Sequence, residues 1–214
     1  MKISVVNILI CLALSLLVSC SKEMPKTIDL GTVEDGIYSN KYFDFSLDLS
    51  DGWQVQENQT MKLAQSMGKK IISGDDKNLE AALDLSTLTT VNLLLATKHP
   101  FGTQVAFNPN IAAVAEKIDP LSGQLSGREY LTGARKIMEM SKIETAFDDE
   151  ISSVNLGGVD FDVMTVEMNY QNRSLTQKYY AAIMREYALA FIISYTTDEE
   201  LRSLEELLGT MKFN

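Results

Sequence analysis

The chain has 214 residues, 45% of them hydrophobic and 22% charged, the make-up of a globular protein rather than a disordered or fibrous one. Its 29 acidic residues outnumber 19 basic ones for a net charge of −10. Such a surface repels nucleic acid and anionic lipid headgroups, and with no Lys/Arg cluster interleaved with aromatics, nucleic-acid binding is excluded.

Residues 1–19, MKISVVNILICLALSLLVS, read as an export signal: Lys2 precedes an almost wholly apolar run from Ile3 to Val18. The run ends in Leu17-Val18-Ser19-Cys20, which resembles the bacterial lipobox. That resemblance implies a diacylglyceryl group on the thiol of Cys20 and cleavage just before it. Acyl chains hold at about 0.8 kcal/mol per buried methylene, so more than one chain gives stable anchoring. The expected location is the extracytoplasmic face of a bacterial membrane, with Cys20 as the point of attachment. Cys11 lies within the signal, so the mature domain keeps no thiol for a disulfide, a metal or a nucleophile. Residues 20–35 read as anchor and tether, with a flexible reach of about 20 Å. Residues 36–214 read as one domain, about 180 residues being enough for a sizeable core.

The domain opens with YSNKYFDFSLDLSDGW, Tyr38 to Trp53. Strict alternation from Tyr42 to Ser50 predicts a half-buried strand with Phe43, Phe45, Leu47 and Leu49 inward. Asp51-Gly52 supplies a turn, and Trp53 packs after it. Tyr38 and Tyr42 are left as candidate surface contacts.

A helix is predicted over Gln59 to Ile72, with Leu63, Met67 and Ile71 as its apolar stripe. A shorter one follows over Asn78 to Leu85. Thr90 to Lys98 reads as a buried strand, and Thr103 to Phe107 as its neighbour after the His99-Pro100-Phe101-Gly102 turn. Asn108-Pro109-Asn110 is expected to introduce a short helix ending at Asp119-Pro120. Ser126-Gly127-Arg128-Glu129 is a capping box, starting a helix that runs to about Lys142.

Phe147 to Asn155 is expected as one strand, then a Gly157-Gly158 turn and a strand from Val159 to Tyr170. In that strand the polar positions shift phase near Val163-Met164, which predicts a β-bulge. Leu175 to Met184 and Tyr187 to Thr196 form a hairpin across Arg185-Glu186. Thr197-Asp198-Glu199-Glu200 caps a last helix facing inward through Leu201, Leu204, Leu207 and Leu208. The whole reads as α+β with a mainly antiparallel sheet.

The order of these features is similar to the PsbP-like fold. The residues that carry the resemblance are Gly36-Ile37-Tyr38, Asn40, the Phe-rich strand ending in Gly52-Trp53, the Gly157-Gly158 hairpin with Phe161, the long hairpin, the acidic terminal helix and Phe213. That family includes the photosystem II subunit PsbP, a Ran-binding import factor and bacterial lipoproteins. The resemblance implies a central antiparallel sheet with helices on both faces, an αβα sandwich. It also implies a non-catalytic binding or accessory role toward another envelope protein.

Groups for catalysis are sparse. His99 precedes a proline in a turn, and no Gly-x-Ser-x-Gly elbow accompanies it. One histidine and no mature cysteine disfavour zinc. Asp75-Asp76, Asp148-Asp149-Glu150 and Asp160-x-Asp162 read as solvated acidic faces and match no calcium loop. Asp198-Glu199-Glu200 belongs to the last helix's first turn. Gly123 to Gly127 lacks a P-loop lysine, and no cofactor is expected. The alternatives are a hydrolase using paired Asp/Glu carboxylates and a small-ligand-binding lipoprotein. Tyr179 and Tyr180 must face opposite ways on the hairpin, with only their hydroxyls wet.

Overall fold

The computed structural model describes residues 28–119, 125–170 and 173–214. In chain order they form β1 (Thr32–Glu34), β2 (Ile37–Asn40), β3 (Phe45–Asp48), β4 (Gln54–Val55), α1 (Asn58–Ser73), α2 (Lys77–Thr89), β5 (Thr90–Thr97) and β6 (Asn110–Lys117). There follow α3 (Gly127–Glu139), β7 (Glu144–Phe147), β8 (Ser152–Leu156), β9 (Val159–Tyr170), β10 (Arg173–Met184), β11 (Tyr187–Tyr195), α4 (Asp198–Gly209) and β12 (Lys212–Phe213). The export signal and Cys20 lie outside the described residues. The expected tether is shorter than its 20–35 span, because β1 lies inside it and pairs with β2.

A large sheet runs β4-β5-β6-β11-β10-β9-β7, with β8 also on β9; a small one runs β1-β2-β3-β12. Among the described residues every strand pair is antiparallel. The small sheet and α4 cover one face of the large sheet. Phe43, Phe45, Leu47 and Leu49 meet Phe161, Phe191 and Ile193 there, joined by Leu204, Leu207 and Leu208 of α4. The opposite face carries α1, α2 and α3. Gln65 of α1 hydrogen-bonds Asn92 of β5 at 3.0 Å, and Leu131 and Met138 of α3 pack on Met164, Val166, Ala181 and Ala190. The fold is thus α+β, mainly antiparallel, with helices on both faces. Each fully buried Leu or Phe contributes about 1.5–3 kcal/mol.

Both capping boxes form as the sequence predicts. Ser126 Oγ accepts from Glu129 N at 3.2 Å while Glu129 Oε2 accepts from Ser126 N at 2.8 Å. Thr197 and Glu200 repeat the pattern on α4. Helix α3 stops at Glu139, short of Lys142, and α2 runs past Leu85 to Thr89. Gly127 is needed where α3 meets the sheet, since a Cβ there would overlap the Ala181 carbonyl.

Five expectations are corrected. Residues 103–107 form no strand, and the expected helix over 110–118 is instead β6, the direct partner of β5 and β11. Its alanines read as helix formers, yet Ile111, Ala113 and Ala115 alternate into the core at 0% exposure. Asn108 caps no helix. Its side chain accepts from His99 N and donates to His99 O, both at 2.9 Å, closing the loop between the strands.

The segment 147–155 is broken rather than one strand: β7 pairs with residues 166–169 of β9, and β8 with residues 159–163. Asp148, Asp149 and Glu150 are exposed at the break. Strand β9 carries no bulge at Val163-Met164; its pairing with β10 is continuous from Asp162↔Ala181 to Tyr170↔Arg173. The apparent phase slip arises because Phe161 and Val163 face one core while Met164 and Val166 face the other. A register shift does occur in β5 at Asn92/Leu94, where Leu93 and Leu94 are both buried.

The stripe Leu63, Met67 and Ile71 points away from the core, with exposures of 51%, 53% and 37%. Met61 is buried instead, and Gly68 and Ile72 are half-buried. Repetition at four-residue spacing marks a common face of a helix, and the fold turns this one outward.

Candidate functional site

The aromatic opening stretch is core. Tyr38 is 2% exposed, contrary to its expected surface position, and its hydroxyl donates to the Leu30 carbonyl at 2.9 Å. Burial, most of all, pushes its pKa up to about 12. Tyr42 is half-buried, edge-on to Phe43 and Tyr187, with the Arg185 guanidinium 4.9 Å from its ring centre. Trp53 is buried under the Lys98 ammonium, 5.1 Å away. Tyr180 faces the first core and Tyr179 the second, as alternation requires. Burial drives both phenols above their ordinary pKa.

Members of the acidic clusters at Asp75-Asp76 and Asp160-x-Asp162 are held by local partners, while Asp148, Asp149 and Glu150 are exposed. Asp76 caps α2 by accepting from Asn78 N and Leu79 N. Asp160 accepts from Asn155 at 2.6 Å; Asp162 accepts from Ser153 at 3.0 Å and lies 3.7 Å from Arg128. Among the described residues no three His, Cys, Asp or Glu side chains gather as a metal site. His99 is exposed at the loop closed by Asn108. Of the glycine-bearing loop, residues 123–124 lie outside the described residues.

Two concave sites lie on the helical side of the large sheet. The first is a cavity of about 540 Å³ between the end of α1, the loop before β6 and the strand ends at the β9–β10 turn. Ile71, Phe107, Ile143, Met168 and Leu175 make its wall largely apolar. Arg173, Ser174 and Thr196 are its polar members, and among the described residues Arg173 has no carboxylate partner. Residues 171–172, next to Arg173, are outside the described residues. A wall of this kind suits an apolar chain, with the Arg173 cation and the Ser174 hydroxyl to orient a polar end, while Thr196 Oγ1 donates to Glu200 Oε2 at 2.9 Å.

The second site, about 420 Å³, lies among α2, β6 and α3. Its centre is Glu116, which accepts from Tyr130 Oη at 2.9 Å and Ser86 Oγ at 3.1 Å. Burial first, then the adjacent Glu116 charge and hydrogen bond, raise the Tyr130 pKa. With its oxygens held by hydroxyls from two helices, Glu116 fastens α2 and α3 to β6. Asp119 also lines this site, and none of the acidic clusters singled out in the sequence lines either site.

Neither cavity was legible in the sequence, because each is assembled from segments distant along the chain. The outward apolar stripe of α1 and Arg173, unpaired among the described residues, are what sequence reasoning missed as a site. The recurrence of Leu63, Met67 and Ile71 beside lysines is the signal the sequence offers for it.

No protein-family model matches the sequence, and no curated protein matches it either. Among solved structures, the chain is similar to cyanobacterial PsbP (CyanoP) from Synechocystis sp. PCC 6803, at 9% identity and a TM-score of 0.48, covering 92% of this chain and 99% of that one. It is also similar to LpqN, involved in cell envelope biogenesis of Mycobacterium tuberculosis, at 13% identity and a TM-score of 0.36, covering 59% and 79%. A third is the protein of unknown function PA94 from Pseudomonas aeruginosa, at 14% identity and a TM-score of 0.34, covering 55% and 73%. These likenesses are loose, and the architecture rests on the strand order and the two cores described above.

Proposed function

We propose that this protein is a lipid-anchored, extracytoplasmic bacterial binding protein, without catalysis of its own, whose first cavity takes an apolar chain bearing an anionic head. The observation that carries this is the apolar wall of Ile71, Phe107, Ile143, Met168 and Leu175 beside Arg173. An acyl chain gains free energy on leaving water for such a wall, and a guanidinium with no carboxylate partner among the described residues favours a carboxylate or phosphate at its end. The anchor is the lipid expected on Cys20. A carrier of this kind hands its ligand to another envelope component, which is the place of the partner protein expected from the sequence.

The test is a fluorescence titration with dansylundecanoate of a chain beginning at Ser21. Saturable binding, displaced by dodecanoate and blocked by Met168→Trp, is expected. Arg173→Gln should weaken it about 10- to 100-fold, as loss of a charge-assisted hydrogen bond does. Absence of saturable binding, or binding indifferent to Met168→Trp, would overturn the reading. Incorporation of a labelled fatty acid, lost in Cys20→Ala, tests the anchor separately.

A further inference from the structure

The acidic residues of this chain are unevenly placed. Helix α1 carries Lys62, Lys69 and Lys70 and no Asp or Glu, in a chain with 29 acids and a net charge of −10. The stretch from Lys98 to Ala115, which includes the loop before β6, is equally free of acids. These same two segments present large apolar side chains to solvent: Leu63 and Met67 on α1, Phe101 and Val105 on the loop, the last two at 53% and 40% exposure. They also meet at one place, since Ile71 of α1 and Phe107 of the loop both line the first cavity.

Solvated helices put their polar side outward; α1 departs from this, with Met61 buried and Gln65 turned to β5 while Leu63, Met67 and Ile71 are turned out. Lys62 and Lys70 are exposed beside that stripe, while Lys69 is paired with Asp84 of α2. An apolar stripe with exposed lysines along one side fits a surface that is apolar below and anionic above. Its charge is opposite in sign to the net charge of the chain, which disfavours approach to such a surface as a whole.

We propose that α1 and the loop before β6 dock on an anionic lipid bilayer. Leu63, Met67, Phe101 and Val105 enter the headgroup–acyl boundary, and Lys62 and Lys70 lie among the anionic headgroups. The mouth of the first cavity then opens at the bilayer surface, where an amphiphile passes between lipid and protein without crossing water. This rests on the membrane-anchored reading above and adds to it an orientation and a lipid preference.

The experiment uses the full chain reconstituted in vesicles of phosphatidylcholine with or without phosphatidylglycerol. An environment-sensitive NBD label is placed at Met67→Cys, or at Glu206→Cys on α4 as control, in a Cys11→Ser background. The same chain without the added cysteine sets the background signal. Blue-shifted emission at position 67, quenched by doxyl lipids and absent at position 206, is the result expected in phosphatidylglycerol vesicles. Each of Lys62→Gln and Lys70→Gln should lower the docked-to-free ratio roughly 5-fold, and added salt should weaken docking. A water-like label at position 67 in every vesicle overturns the proposal. So does a shielded label that doxyl lipids leave unquenched, which would mean that protein covers the stripe. Retention of the chain in the vesicle fraction reads the anchor independently. A chain not retained is read by the same label against vesicles added to it.

Discussion

The ring of Phe45 on β3 stands edge-on to that of Phe191 on β11, their centres 5.2 Å apart at 86°. This contact joins the small sheet to the large one at the centre of the first core, and Phe213 packs on Phe45 from β12 at 5.6 Å. Residues 45, 191 and 213 thus bring the beginning and the end of the domain onto its middle hairpin. Phe45→Ala should lower unfolding stability by about 3–5 kcal/mol, through lost burial and the cavity left behind. Urea unfolding followed by Trp53 fluorescence measures this; a loss under about 1 kcal/mol would mean that the two sheets hold together without it.

Tyr130→Phe removes one donor from Glu116 and leaves Ser86 in place. The expected loss is about 1 kcal/mol, with faster amide exchange confined to α3 and β6. Hydrogen exchange resolves the location. A change spread evenly over the chain would argue against Glu116 as the local fastening point.

The exposed stripe of α1 makes an unusual contrast within one protein. Leu63→Ala should change the stability of the unbound chain by no more than about 0.5 kcal/mol. Leu204→Ala on α4, at 0% exposure, should cost about 2–5 kcal/mol. Equal losses at the two positions would return Leu63 to the core, where its four-residue spacing alone would put it.

Alkaline pH should unfold the domain. Tyr38 binds its proton more tightly when folded, its pKa rising from 10.0 to about 12, and burial also raises Tyr130, Tyr179 and Tyr180. The unfolded chain therefore loses these protons first. The associated stability is complete below pH 10 and falls as pH climbs from there toward the folded values. Tyr38 alone accounts for roughly 1.4 kcal/mol per pH unit across its interval. Denaturant midpoints and phenolate absorbance against pH measure the effect; phenols that all titrate at pH 10 in the folded protein would contradict it.

Much of the fold was legible because its signals are local. The two capping boxes form as spaced, since a hydroxyl and a carboxylate three residues apart satisfy each other's backbone within one turn. Alternation placed Phe45 and Leu47 inside because a strand's faces have period two; β3 is shorter than the expected Tyr42 to Ser50, and Phe43 in the turn before it and Leu49 just past it are buried as well. The failures were of another kind. The alanines of β6 are helix formers by propensity, but a central strand wants small side chains where two layers close on it. The phase change in β9 looked like a bulge because a sequence does not tell which of two buried faces a residue serves.

The sequence by itself determined the charge, the α+β class, the capped starts of α3 and α4 and the turns at Gly157-Gly158 and Arg185-Glu186, all set by interactions within a few residues. It also determined that Arg173, Ile71 and Phe107 exist, but nothing in their spacing relates them. Only the tertiary structure decided that α1 turns its apolar stripe outward, because the side of the helix carrying Gln65 is the one held against β5. The same packing brings residues 71, 107, 143, 168, 173 and 175 around one cavity. A local pattern fixes a face; what that face meets depends on parts of the chain far away.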